Sequence, residues 1–154
     1  MDLNEFRSEY QRLLSRASCE KDIEAWLDIY WSRLPPFPDN QFVEEDFKNG
    51  IYPYNGLVFS NISYPCGVEL VTEVAASQCI GHTWLFCNDH STGRPLTGRL
   101  ARCLYLPPDT APPVFVDRMG DYYLCNDGNH RIYAAFLLDR TVRLRIMREY
   151  KQIK

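Results

Sequence analysis

Five consecutive residues, Asp127-Gly128-Asn129-His130-Arg131, stand between a segment that alternates apolar and polar side chains and a segment with apolar side chains at helical spacing. A strand that breaks at glycine and restarts as a helix presents backbone amides at the break. The first amides of a helix have no intrahelical acceptor, and the aligned peptides place partial positive charge there. Such a corner attracts anions. Gly128 can take positive φ and lets a ligand approach the backbone closely. Arg131 adds a planar fork matched to phosphate, and His130 adds a second donor able to carry a proton. Asp127 is placed to cap the helix or to orient a neighbouring donor. The chemistry offered is a grip on phosphate. Taken alone, the same five residues equally describe a capped helix with surface side chains.

The elements that must position this corner are legible on both sides. Pro113-Val114-Phe115-Val116-Asp117 predicts a strand, Arg118-Met119-Gly120-Asp121 a tight turn and Tyr122-Tyr123-Leu124-Cys125 the returning strand of a β-hairpin. After the corner, Ile132, Ala135, Phe136 and Leu138 form a helical stripe. Asp139-Arg140 turns the chain, and Val142, Leu144 and Ile146 alternate with Arg143, Arg145 and Met147 in a last strand.

Taken together, the run PPVFVDRMGDYYLCNDGNHRIYAAFLLDRTVRLRIMREY resembles the ParB/sulfiredoxin superfamily, and the correspondence covers residues 112–154 in unbroken order. Members of that family show a Pro-Pro-Ile/Val strand, a glycine turn, an aromatic strand, a DG-x-HR or related box, a helix with alanine and a closing strand. The resemblance implies an α+β fold, a small mixed sheet with flanking helices. It implies a nucleotide ligand, ATP, ADP or CTP, with Gly128, Asn129, His130 and Arg131 at its phosphates. Sulfiredoxins carry their catalytic cysteine directly before the His-Arg pair. Asn129 stands there in this chain, so reduction of a sulfinic acid is not expected. Chromosome-partition ParB proteins carry a Gly-Glu-Arg-Arg type of box and continue into a helix-turn-helix domain, and no such DNA reader is expected here. The chain is more similar to the stand-alone DG-x-HR branch, which includes a free-serine kinase. The implied activity is that of a phosphotransferase or NTPase, with a noncatalytic nucleotide-dependent switch as the alternative.

That branch often carries a second polar loop upstream, and Ser77-Gln78-Cys79-Ile80-Gly81-His82 occupies the corresponding place. Gly81 would allow backbone approach and His82 would donate to phosphate; a plain structural turn is the other reading. Phosphoryl transfer also needs a base and usually Mg²⁺. Glu69, Glu73, Asp89 and His90 are the upstream candidates. Glu73, just before the small-residue loop, is the choice as catalytic carboxylate beside His130. No residue set predicts a protein-held metal.

The rest of the chain bounds these expectations. Apolar residues make up 45% of the 154 and charged residues 24%, which is ordinary globular composition and argues against disorder. No window is apolar and long enough for a membrane span. The N-terminus, Met-Asp-Leu-Asn-Glu, lacks the basic start and apolar core of a secretory signal. A cytoplasmic location is therefore expected. Cys19, Cys66, Cys79, Cys87, Cys103 and Cys125 contain no C-x-x-C pair and are expected to be reduced. From His130 onward, seven Arg and Lys residues face only Asp139 and Glu149. The stripe Arg143, Arg145 and Arg148 is the local support for a third function, a ParB-like nuclease or DNA-associated factor. A net charge of −3 argues against DNA as the partner.

At the other end, Leu3, Phe6, Tyr10, Leu13 and Leu14 mark a helix over 3–17. Ile23, Trp26, Leu27, Tyr30 and Leu34 mark a second over 20–34, with Ser18 as its N-cap. Pro35-Pro36-Phe37-Pro38 stops it. Residues 1–38 are thus expected as a helical-hairpin extension to a nucleotide-binding domain at 39–154. Trp26, Tyr30, Trp31 and Phe37 are its candidate surface for a protein partner, or its packing face. Between the two, 57–59 and 68–74 predict short strands, the second equally consistent with a helix. Residues 77–99 predict long loops, and 99–106 a short helix closed by Pro107-Pro108.

Overall fold

The computed structural model describes residues 1–36, 49–54, 56–81, 97–107, 111–125 and 128–154. Helix α1 spans Leu3–Arg16. Asp2 caps it by accepting the Glu5 amide at 2.8 Å, and Phe6, Tyr10 and Leu13 are its buried stripe. Helix α2 spans Glu20–Tyr30 and buries Ile23, Trp26 and Leu27. Its N-cap is Cys19, one residue after the expected Ser18. The carboxylate of Asp22 organises this start, accepting the Ser18 amide at 2.8 Å, the Ser18 hydroxyl at 3.1 Å and the Cys19 amide at 3.3 Å. These bonds hold the Asp22 carboxyl below its usual range. Past Tyr30 the chain tightens into a single 3₁₀ turn, Trp31–Arg33, and straightens before Pro35-Pro36.

Six strands are described: β1 (Ile51–Tyr54), β2 (Leu57–Ala75), β3 (Cys79–Gly81), β4 (Val114–Met119), β5 (Tyr122–Cys125) and β6 (Thr141–Gln152). They form one mixed sheet in the order β1-β2-β6-β4-β5-β3, with β4–β6 and β3–β5 parallel and the other pairs antiparallel. The two short strands expected at 57–59 and 68–74 are one strand of 19 residues. It stays paired to β6 through three register shifts, between Phe59/Ser63, Pro65/Glu69 and Val71/Val74. The shifts give β2 two, two and one residues more than β6 over the same intervals, which interrupts a two-residue periodicity without ending the ladder. The hairpin β4–β5 turns at Gly120, where φ is 62°.

A 3₁₀ turn at Ala76–Gln78 and two further helices, α3 (Thr97–Tyr105) and α4 (Asn129–Leu138), complete the described elements. Helix α3 begins two residues before the expected Arg99, and the Thr97 hydroxyl donates to Asp28 of α2 at 2.6 Å. Helix α4 ends in a Schellman turn. Asp139 is left-handed, the Arg140 amide returns to Ala135 O at 2.8 Å, and the Asp139 amide to Phe136 O at 3.5 Å. The guanidinium of Arg7 closes the same end, donating to Leu137 O at 2.9 Å and Phe136 O at 3.2 Å, where a cation complements the helix dipole.

One core joins all four helices to the sheet. Phe6 and Tyr10 of α1, Ile23 and Leu27 of α2, Leu100 and Leu104 of α3, and Ile132 and Leu137 of α4 meet Val114, Val116, Leu144 and Ile146. The expected boundary at 38/39 lies outside the described residues, and the helices before it share this core. A smaller cluster, Tyr52, Phe59, Met119 and Leu124, fills a second site on the sheet. Tyr10 shows how closely the hairpin is integrated, since its hydroxyl donates to Leu104 O of α3 at 2.8 Å. Burial pushes this phenol up to about 12, against a lowering contribution from Arg140. The folded state therefore holds the proton more tightly than the unfolded chain. Tyr10 contributes stability in full below its ordinary pKa and loses it as pH rises toward the folded value. An alkaline unfolding series should show Tyr10→Phe with a shallower loss of stability across that window than the parent protein.

Candidate anion-binding site

The corner before α4 is built by β5 and closed by β4. Strand β5 ends at Cys125, and Gly128 is the N-cap of α4 in a left-handed conformation, φ 77° and ψ 20°. Its carbonyl accepts both the Arg131 amide at 3.0 Å and the Ile132 amide at 3.2 Å. A Cβ on Gly128 would lie 2.8 Å from Cγ1 of Val114 and 3.3 Å from Nη2 of Arg131. The position therefore requires glycine for its conformation and for the closeness of its neighbours. Arg131, the third residue of α4, folds its side chain back over the start of its own helix and donates to Pro112 O. His130 is half-buried, with its Nε2 atom enclosed.

Arg131 also lines a cleft of about 390 Å³ between α3, α4 and the start of β6. Three further arginines reach it: Arg102 from α3, Arg140 from the turn after α4, and Arg143 from β6. None of the described lining residues is acidic. Leu106, Pro107, Pro112, Val114, Ala134 and Val142 supply the apolar walls. The guanidiniums are anchored to backbone carbonyls: Arg131 to Pro112, Arg143 to the adjacent Ala111, and Arg140 to Leu106 at 3.4 Å. A guanidinium has five donors, so one carbonyl bond takes up only part of the capacity of Arg131 and Arg140. Cys103, half-buried in the same wall, is pushed up by burial, with Arg131 and Arg102 pulling the other way. Its thiol stays protonated at neutral pH.

The helix dipole makes the position of Arg131 informative. Arg7 and Arg140 lie at the C-terminal end of α4, where cations are favoured. Arg131 places its charge against the N-terminal end, where the field of the helix opposes it. An anion at this corner would reverse the sign of that interaction.

The second expected segment comes close as well. Strand β3 pairs in parallel with β5, and Gly81 registers with Cys125. The end of β3 therefore lies beside the end of β5, three residues before Gly128. His82 and Asp127 lie outside the described residues, as does the side chain of Asn129.

Glu73 is not brought to this corner. It is exposed, sits in the bulge of β2 between Val71 and Val74 with φ 59°, and does not line the cleft. Strand β2 is two positions away from β4 in the sheet, about 10 Å at the usual strand spacing. Of the other carboxylate and imidazole candidates, Asp89 and His90 lie outside the described residues, as does the side chain of Glu69.

The arginine stripe of β6 is divided among separate tasks. Arg143 enters the cleft, while Arg148 donates Nε and Nη2 to the buried carboxylate of Asp117 at 3.3 and 3.2 Å. Arg145 stands in register with exposed Phe115 on β4. The aromatic hairpin surface is largely inward-facing. Trp26 is buried against Phe6 and Tyr30, and Tyr30 and Trp31 pack on the core; Phe37 lies outside the described residues.

Comparison with protein-family models, with curated proteins and with solved structures finds no match. No described helix is long and apolar enough to cross a membrane.

Proposed function

We propose that this protein binds a nucleotide, of the ATP, ADP or CTP type, by its phosphates at the start of α4, and that it acts as a phosphotransferase or NTPase. The observation that carries the reading is the guanidinium of Arg131 folded over Gly128, at the positive end of its own helix and facing a cleft with three more arginines. The likeness of residues 112–154 to ParB/sulfiredoxin-like proteins supports the choice of a nucleotide over other phosphates. On this reading Gly128 and Asn129 admit the phosphates to the backbone, and Arg131 forks onto their oxygens. His130 is the candidate for proton transfer. On this reading Mg²⁺ arrives on the phosphates themselves.

The test is calorimetry of the full chain with ATP, ADP, CTP and GTP in the presence of Mg²⁺. At least one nucleotide is expected to bind, and Arg131→Ala is expected to weaken it by about 10- to 150-fold, the equivalent of one or two charge-assisted hydrogen bonds. A parallel turnover assay separates an enzyme from a nucleotide-occupied switch. Absence of binding at millimolar nucleotide, or equal affinity in Arg131→Ala, would sink the reading.

A further inference from the structure

We infer that Cys79 and Cys125 form an oxidisable dithiol, a modification site at which a peroxide closes a disulfide that fastens β3 to β5 beside the start of α4. The inference is independent of the nucleotide reading, since it needs no ligand at Gly128.

Three observations point this way. The first is placement. Cys79 pairs with Tyr123 and Cys125 with Gly81, so the two cysteines lie on one face of adjacent strands, one diagonal step apart. Both are buried in the main core, and both are free thiols. The second is contact. The two thiols are hydrogen-bonded to each other, and that bond, with burial behind it, pushes the Cys125 thiol well above its ordinary range. Their contacts to the backbone are long, 3.9 Å from Cys79 Sγ to Ala75 O and 3.7 Å from Cys125 Sγ to Tyr123 O. The third is the strand that carries Cys79. Among the described strands β3 lies at the edge of the sheet, has three residues and pairs with β5 alone. A short edge strand parts from its neighbour at lower cost than the whole fold unfolds, which gives a small oxidant its route to a buried thiol. The same short strand can follow when the contact contracts to an S–S bond of about 2.05 Å.

The chemistry balances with hydrogen peroxide as the oxidant. The Cys79 thiolate, on the strand that parts, attacks one peroxide oxygen. The O–O bond breaks, the other oxygen leaves as hydroxide and takes up the thiol proton to become water, and Cys79 is left as a sulfenic acid. The Cys125 sulfur then attacks the Cys79 sulfur, the S–O bond breaks, and water leaves with the Cys125 proton. The two thiols lose one electron each, and the peroxide is reduced to two waters. The resulting bond ties the edge strand to the end of β5, three residues before Gly128.

The test is exposure of the full chain to hydrogen peroxide, graded so that circular dichroism shows the fold intact throughout. The reaction is quenched in acid, remaining thiols are alkylated in denaturant, and the linked peptides are mapped by mass spectrometry. A Cys79–Cys125 linkage is expected as the main product, with the intact mass lower by two hydrogen atoms and restored by dithiothreitol. The linked chain should melt several degrees higher than the reduced one, because the new bond constrains the unfolded state. Cys79→Ala and Cys125→Ala should each lose both the mass change and the thermal shift, while Cys19→Ser, at the exposed start of α2, keeps them. If the variants at the buried positions fail to fold, the peptide map and melting curve of the parent chain decide. The proposal is overturned if Cys79 and Cys125 are recovered as free thiols or as separate sulfinic or sulfonic acids, or if the main linkage joins another pair. It is equally overturned if the linked chain melts no higher than the reduced one.

Discussion

A chain lacking residues 1–36 is expected to be unfolded, with no cooperative transition in urea and no ligand binding. Phe6, Tyr10, Leu13, Ile23, Trp26 and Leu27 are all 6% exposed or less, and they contact the same core as Leu104, Ile132 and Leu144. Burial of a large apolar side chain contributes about 1.5–3 kcal/mol, so six of them rival the whole net stability of a domain, about 5–15 kcal/mol. Truncation would also uncover the faces of α3 and α4 that these side chains cover. Polar ties go with them. Arg7 leaves the last carbonyls of α4, the Tyr10 hydroxyl leaves Leu104 O, the Asp28 carboxylate leaves Thr97, and Pro35 O is lost as the acceptor for the Tyr133 hydroxyl. Far-ultraviolet circular dichroism and urea titration of residues 37–154 would check this. A truncated protein that melts cooperatively and still binds nucleotide would restore the hairpin as a separable appendage, of the kind a partner-capturing switch requires.

How much of this could be read from the chain depends on whether the controlling contacts are local. The β4–β5 hairpin was legible because its alternation is uninterrupted and Gly120 marks the turn. The start of α4 was legible because Gly128 separates a two-residue period from a helical one. Strand β2 was not, since Pro65, Gly67 and three register shifts break its alternation while β6 holds it in place. The first turn of α3 was missed for a similar reason. Thr97 is held by Asp28, far away in sequence, and no local signal announces it. The place of Glu73 before a polar loop points to a carboxylate near the corner, but sheet order, which sequence position does not reveal, puts β2 on the far side of β6 from β4. The arginine cleft was half visible. The excess of bases after His130 was plain, yet a strand of alternating arginines looks the same whether its side chains are solvated or gathered against α3. Arg102 completes the cleft only through the packing of α3 on α4.

Gly128→Ala is expected to destabilise the protein by about 2–5 kcal/mol and to weaken any ligand held by Arg131. Two costs combine. The residue has φ 77°, a left-handed conformation that costs an L side chain about 1–2 kcal/mol. The new methyl would also stand 2.8 and 3.1 Å from the two Cγ atoms of Val114, closer than carbon atoms tolerate. Val114 cannot turn away easily, because a β-branched side chain has few χ1 choices, and this one is 2% exposed in the first position of β4. Overpacking of that kind costs about 1–3 kcal/mol. The methyl would further crowd Nη2 of Arg131 at 3.3 Å and push the guanidinium off the start of α4, so the functional loss should exceed what unfolding alone explains. A double-mutant cycle separates the two costs. Val114→Ala removes the clash and leaves the backbone cost in place, so the pair should show a favourable coupling of about 1–3 kcal/mol. Zero coupling would mean that the methyl does not meet Val114, and that the glycine is required for its backbone conformation alone.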